Sequence, residues 1–283
     1  MELHRLDPAS ELEPLRAFLS ASDPDDYLLE DIEEWVQDGR LSVGVEDGSW
    51  VAFGRVHDLG HGEGWVSGLR VGLSLRGRGL GGQLLNGLLA DGRSIGLSEF
   101  RAVIEDGNRA SRRLFARHGF RSIYEMTLRR ASAGTSGAEA LHRVRASERP
   151  MGPIGWVPSL TGRVDLLPGP EGGRFGRWDP GILDRWIREG KLYVGRGLAA
   201  AVQLDWVRVP RTMWVNPLQG EPGPLLRAIT SLAATLGQEE WQAFLPSTEH
   251  LREVYASLGL RPHPSWGDRI HLYELIEAPS ASH

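Results

Sequence analysis

The stretch Gly68-Leu-Arg-Val-Gly-Leu-Ser-Leu75-Arg76-Gly77-Arg78-Gly79-Leu80-Gly81-Gly82 decides how this chain is read. The segment leading into it, Gly64–Leu75, carries apolar marks at Trp65, Leu69, Val71 and Leu73, as an extended segment half buried in a sheet does. A glycine-rich turn follows, then a helix from about Leu80 to Ile95 that stops at Gly96. A bare turn opening a helix aims successive backbone N–H groups at one point, which suits an anion. Glycine permits positive φ and lets a ligand approach without meeting a Cβ. Arg76 and Arg78 add charge-assisted donors at the rim. The segment therefore predicts a phosphate-bearing ligand.

Two other phosphate patterns compete for these residues. Gly77-x-Gly79-x-x-Gly82, with Glu105 downstream, also satisfies the dinucleotide-binding pattern and leaves a nicotinamide or flavin oxidoreductase as an alternative. That fold places the loop after its first, continuously apolar strand. Here the loop comes late in its domain and follows an alternating strand. No Lys-Ser or Lys-Thr follows the glycines, so a P-loop is excluded.

Further out, Phe100–Ile104 reads as a short strand. Asn108 caps a helix to about His118, Gly119-Phe120 ends it, and Ser122–Arg129 is extended. Upstream, 9–20 and 24–38 carry helical spacing and end at Gly39. Leu41–Val45 and Trp50–Val56 form a hairpin through Glu46-Asp47-Gly48. The order is two helices, a hairpin, a strand, the loop, then helix, strand, helix, strand. This predicts an α/β (α+β) fold, a mixed and mostly antiparallel sheet flanked by helices.

Arg76-x-x-Gly79-x-Gly81, joined to Asn108-x-x-Ser111-x-x-Leu114-Phe115 and Gly119-Phe120 one strand later, resembles the GCN5-related N-acetyltransferase family. The resemblance covers about 1–130 and implies acetyl-CoA as cosubstrate, an amine acceptor and no metal. It implies that backbone groups near Leu69 and Val71 contact the pantetheine arm between two splayed strands. It further implies that Arg76, Gly77, Arg78, Gly79, Gly81 and Gly82 form the pyrophosphate site and that Asn108 and Ser111 meet the pantetheine end. By the same resemblance an N–H near Val71 is expected to stabilise the oxyanion. Glu63 and His61, just upstream of the splayed strand, are the candidate catalytic bases. Both also fit a polar hairpin loop from His57 to Glu63. The family's usual acid is a tyrosine. Its position here is Phe115, which cannot donate a proton, and Tyr124 is the nearby phenol. A non-catalytic acyl-CoA sensor or scaffold is therefore a second alternative.

The chain also repeats itself. Trp35, Gly39, Leu41 and Val43 match Trp186, Gly190, Leu192 and Val194 at one common spacing. At a shorter spacing Gly82, Leu84, Leu85, Leu88 and Gly96 match Gly223, Leu225, Leu226, Ile229 and Gly237. Phe115, Ala116, Gly119 and Arg121 match Tyr255, Ala256, Gly259 and Arg261. Collinear matches predict tandem domains at 1–130 and 141–283, joined by a small-residue linker at 131–140. In the second copy the loop reads Pro217-Leu-Gln-Gly220-Glu221-Pro222. Its prolines lack N–H donors and its glutamate repels phosphate, so this copy is expected to keep the fold without the cofactor. Its tryptophans are expected to be mostly core.

Composition sets the outer limits. The 283 residues carry a formal net charge of −5, which gives no electrostatic reason to bind nucleic acid or an anionic membrane. There are no cysteines, which excludes disulfides and a thiolate nucleophile. The first residues lack the apolar core of a signal peptide, and no run is long enough to span a bilayer, so a soluble, cytoplasmic protein is expected.

Overall fold

A computed structural model describes residues 1–29, 32–37, 40–135, 140–145, 166–168, 174–177, 180–204, 211–264 and 266–276. Of the positions singled out in the sequence, Gly39, Trp156, Trp178, Trp206 and the C-terminal tail after Ile276 lie outside these residues. The chain divides into two compact units. The first comprises Met1–Ile104, Asn108–Ser122 and Tyr273–His283; the second comprises Glu105–Gly107 and Ile123–Leu272.

The first unit opens with β1 (Glu2–Arg5) and α1 (Pro8–Ser22). Asp7 caps α1 by accepting from the Ala9 amide. The expected helix over 24–38 is instead a 3-10 turn at Tyr27–Leu29 and a short α2 (Ile32–Gln37). Pro24 disfavours helix at Asp23, and Asp26 accepts from the Leu28 amide, which fixes a turn where periodicity alone suggested continuity. The hairpin is β2 (Arg40–Glu46) and β3 (Ser49–Gly60), followed by β4 (Glu63–Val71). The extended segment ends at Val71 rather than Leu75, because Leu73–Leu75 is a 3-10 turn with Leu73 turned to solvent. Then come α3 (Leu80–Ser94), β5 (Glu99–Glu105) and α4 (Arg109–Arg117).

The sheet runs β1-β2-β3-β4-β5 and then takes Tyr273–Ile276 of β15 (Ile270–Ile276), the chain's last strand. The ladders of β1 with β2, β2 with β3 and β3 with β4 are antiparallel, and that of β4 with β5 is parallel. On one face α3 buries Leu80, Leu84, Leu85, Leu88 and Leu89 against Phe100, Ala102, Phe115 and Phe120. Each such leucine contributes about 1.5–3 kcal/mol by leaving water. On the other, α1 and α2 cover Leu41, Val43 and Phe53 with Leu15, Leu19, Ile32 and Trp35.

The second unit begins with β6 (Arg121–Ser132) from Ile123 onward and β7 (His142–Arg143). β8 (Leu166–Pro168) and β9 (Phe175–Arg177) pair with each other. α5 (Pro180–Arg188), β10 (Leu192–Gly195), β11 (Leu198–Gln203), β12 (Thr212–Gln219), α6 (Pro222–Thr235), β13 (Glu240–Pro246), α7 (Glu249–Ser257) and β14 (Arg261–Pro262) follow. Its sheet order is β6-β13-β12-β11-β10-β7, with β14 beside β6. Among the described residues its ladders are antiparallel except that of β12 with β13. The strand read as closing the first copy, Ser122–Arg129, therefore lies almost entirely in the second unit. Its ladder with β13 runs from Glu240↔Ser132 to Pro246↔Met126. Trp186, Trp214 and Trp241 are buried, as core tryptophans are.

A candidate donor site at a forked strand pair

The parallel ladder of β4 and β5 has the rungs Glu63↔Glu99, Gly64↔Phe100 and Trp65↔Arg101. Among the described residues no later rung follows, although β4 runs on to Val71 and β5 to Glu105. The two strands part like a fork. The bend comes from β4 itself. Its ladder with β3 shifts between Arg55↔Ser67 and Phe53↔Arg70, a bulge that includes Gly68 at φ +67. Arg70 then pairs with the buried Asp26 through Nε at 2.5 Å and Nη2 at 3.0 Å, which fixes the β4 branch to the segment between α1 and α2.

Past the fork the chain makes the cradle. Gly77 has φ +84 and Gly79 φ +83, and Gly79 is the N-cap of α3 in the left-handed region. A Cβ built on either meets no protein atom within 4 Å, so the space in front is open. Among the described residues the amides of Arg78, Gly79, Leu80 and Gly81 donate to no backbone carbonyl. The Gly82 amide does: it reaches Gly79 O at 3.0 Å, and Gln83 N reaches the same oxygen at 3.2 Å. Leu80, whose side chain is buried in the core, thus offers an amide where Gly82 does not. Arg76 Nε lies 3.4 Å from Val71 O, and Arg78 Nη2 lies 3.0 Å from Glu46 Oε2. No acidic residue lies in the first turn of α3, so the helix dipole and the arginines favour an anion.

Asn108 caps α4, its Oδ1 accepting from Ser111 N at 3.1 Å. Leu69 and Val71 lie on the free branch of β4. Glu63 starts β4, some eight residues or about 26 Å of strand from Val71, and is buried with its carboxylate bound by Arg101. His61 stands exposed in the β3–β4 turn at φ +54. Phe115 is buried edge-on against Phe120 at 4.8 Å. Tyr124 belongs to the second unit, where burial and the neighbouring Tyr255 push its phenol pKa up. The phenol beside Phe115 is Tyr273, 6.5 Å away ring to ring, whose oxygen accepts from Arg112 Nε at 3.3 Å. No local sequence signal marks it, because it comes from the last strand of the chain.

The second unit forks at the corresponding place, with rungs Thr212↔Glu240, Met213↔Trp241 and Trp214↔Gln242. Its turn differs. Glu221 is the N-cap of α6 and Pro222 takes the first position. A Cβ on Gly220 would come 2.5 Å from Leu198 Cδ2, so this turn packs on its own protein. The Tyr255 hydroxyl donates to Pro246 O at the end of β13, at 3.1 Å.

Residues 9–120 match the sequence profile of the acetyltransferase (GNAT) family. No curated protein sequence matches the chain. Among solved structures it is similar to a GCN5-related N-acetyltransferase from Sphaerobacter thermophilus, with TM-score 0.62 and 15% identity over 97% of this chain and 95% of that one. It is also similar to a GCN5-related glucosamine N-acetyltransferase region of a fungal multi-domain β-N-acetylglucosaminidase, with TM-score 0.66 and 14% identity over 97% of this chain and 38% of that one. At such identities the likeness speaks for the fold.

Proposed function

We infer, from the match of residues 9–120 to the acetyltransferase (GNAT) family, that the first unit transfers an acetyl group from acetyl-CoA to an amine. The observation that carries this is the open glycine cradle at the end of a forked parallel pair. Bound there, the cosubstrate supplies an activated thioester. The free amides from Arg78 to Gly81, with Arg76 and Arg78, would hold its diphosphate. The open branch of β4 from Ser67 to Val71 would hold the pantetheine arm and offer a backbone N–H to the developing oxyanion. Asn108 and Ser111, at the start of α4, would bound the same arm.

An ammonium must lose a proton before it attacks. Of the two candidates, Glu63 is buried against Arg101, whereas His61 is exposed in the adjoining turn. The proton leaves through His61 or directly to water. Phe115 donates nothing to the departing sulfur, and water serves there.

The tandem reading, 1–130 and 141–283 around a linker at 131–140, assigns the second unit a related fold without a donor site. Glu221, two prolines without N–H groups and a packed Gly220 support that assignment. The amine is read as a small cationic molecule, and the protein as cytoplasmic.

Titration of the purified chain with acetyl-CoA and with NADH tests the donor. Tight NADH binding with none for acetyl-CoA would return the oxidoreductase reading. Phe115 favours one rival, a sensor that binds without turnover; release of free CoA thiol across an amine panel separates the two.

A further inference from the structure

The root of the fork is built from charge. Arg101 sits on the last rung of the β4–β5 ladder and is fully buried. Its Nη1 donates to Glu63 Oε1 on β4, its Nη2 to Glu99 Oε2 on β5 at 2.9 Å, and its Nε to Glu274 Oε1 on β15 at 2.8 Å. One guanidinium therefore ties three neighbouring strands together, immediately before two of them separate.

Such a cluster is a poor way to gain stability. Taking the ions out of water carries a large desolvation cost, and apolar side chains of similar volume often hold a core as well or better. What the cluster provides is direction: charge-assisted hydrogen bonds from a planar fork fix both distance and angle. The second unit offers a comparison. On the matching ladder Gln242 stands at the rung of Arg101 and Thr212 at the rung of Glu63. The unit with the packed, proline-bearing turn thus lacks the buried arginine and the partner at the Glu63 rung, and keeps only Glu240 at the rung of Glu99, paired with Arg130 and Arg261.

Given the acetyl-CoA reading of the fork, on which this rests, we propose that Arg101 is a positioning residue for donor binding. Held by Glu63 and Glu274, it fixes where β4 and β5 part and so how the free branch of β4 meets the pantetheine arm. It also makes a donor site in the N-terminal half depend on the last strand of the chain.

The test uses the full chain with Glu274→Gln and Arg101→Lys. Glutamine keeps an oxygen facing Nε without the charge; lysine keeps the charge but cannot span three strands. A fork correctly splayed about one-tenth of the time binds about tenfold more weakly. Acetyl-CoA Kd and KM are expected to rise about tenfold in Glu274→Gln and further in Arg101→Lys, with kcat at saturating donor and the acceptor KM unchanged. Folded variants with wild-type donor Kd, or with lowered kcat and unchanged donor KM, overturn the proposal. Should Arg101→Lys fail to fold, Glu274→Gln decides alone. If the wild-type chain binds no acetyl-CoA, the donor reading falls and this role with it; wild-type binding with unaltered variants sinks the positioning role alone.

Discussion

A Cβ added to Gly68 would lie 2.5 Å from Cζ3 of Trp35, so the bulge of β4 and the ring of α2 are fitted to each other. Gly68 is also at φ +67, which costs a residue with a side chain about 1–2 kcal/mol. Gly68→Ala is expected to destabilise the first unit by about 2–4 kcal/mol, strain and displacement of Trp35 together. Denaturant unfolding measures this. An unchanged midpoint would show that the bulge is not fixed by this contact.

Gly79→Val separates binding from folding. Its Cβ enters open space, leaving the strain of φ +83 and little else in the free protein. The same Cβ stands in the cradle. Acetyl-CoA affinity should fall more than tenfold, about 1.4 kcal/mol, beyond any change in stability. Titration calorimetry beside a thermal melt gives both quantities, and undiminished affinity would remove the cradle from the donor site.

Arg76→Gln and Arg78→Gln should each weaken acetyl-CoA binding and flatten its dependence on salt. Arg78 is shared with Glu46 and half exposed, so its loss should matter less than that of Arg76. About threefold and about tenfold are expected, within the range for exposed charge-assisted contacts. Affinities measured at two ionic strengths check the order and the slope.

His263 gives the second unit a pH dependence. Burial, with Arg130 adding to it, lowers its pKa below the usual histidine value, while Glu240 opposes the shift. The folded state thus favours the neutral ring, and the unfolded chain binds the proton more readily. Stability contributed by this site is complete above the unfolded pKa, about 6.5, and is lost as pH falls from there through the lower folded pKa. Melting temperature should drop between about pH 7 and pH 5, and His263→Gln should remove that part of the slope.

Leu84→Ala addresses the core under the cradle. The side chain is fully buried between α3 and the sheet, and its truncation should cost about 2–5 kcal/mol. Chemical denaturation checks the value; a loss below about 1 kcal/mol would mean the helix repacks.

The parts legible in sequence are those whose causes lie within a few residues. Gly96 and Gly119 end α3 and α4 at φ +90 and +85, where only a residue without a side chain is comfortable. Asn108 caps α4 because a short acceptor there reaches the Ser111 amide. The leucines of α3 recur on one face because the helix turns every 3.6 residues. Where a local rule met a competing contact it failed: alternation carried the strand to Leu75, but the 3-10 turn at Leu73 ended it.

Sequence alone therefore determined the glycine cradle, the helix it opens and the order of elements, since backbone freedom and side-chain period act locally. Tertiary structure alone decided that Arg101 would meet Glu274, 173 residues away, and that the last strand would join the first unit's sheet. Pairing between distant strands depends on which edges are left open after local structure has formed, and no short run of residues records that choice.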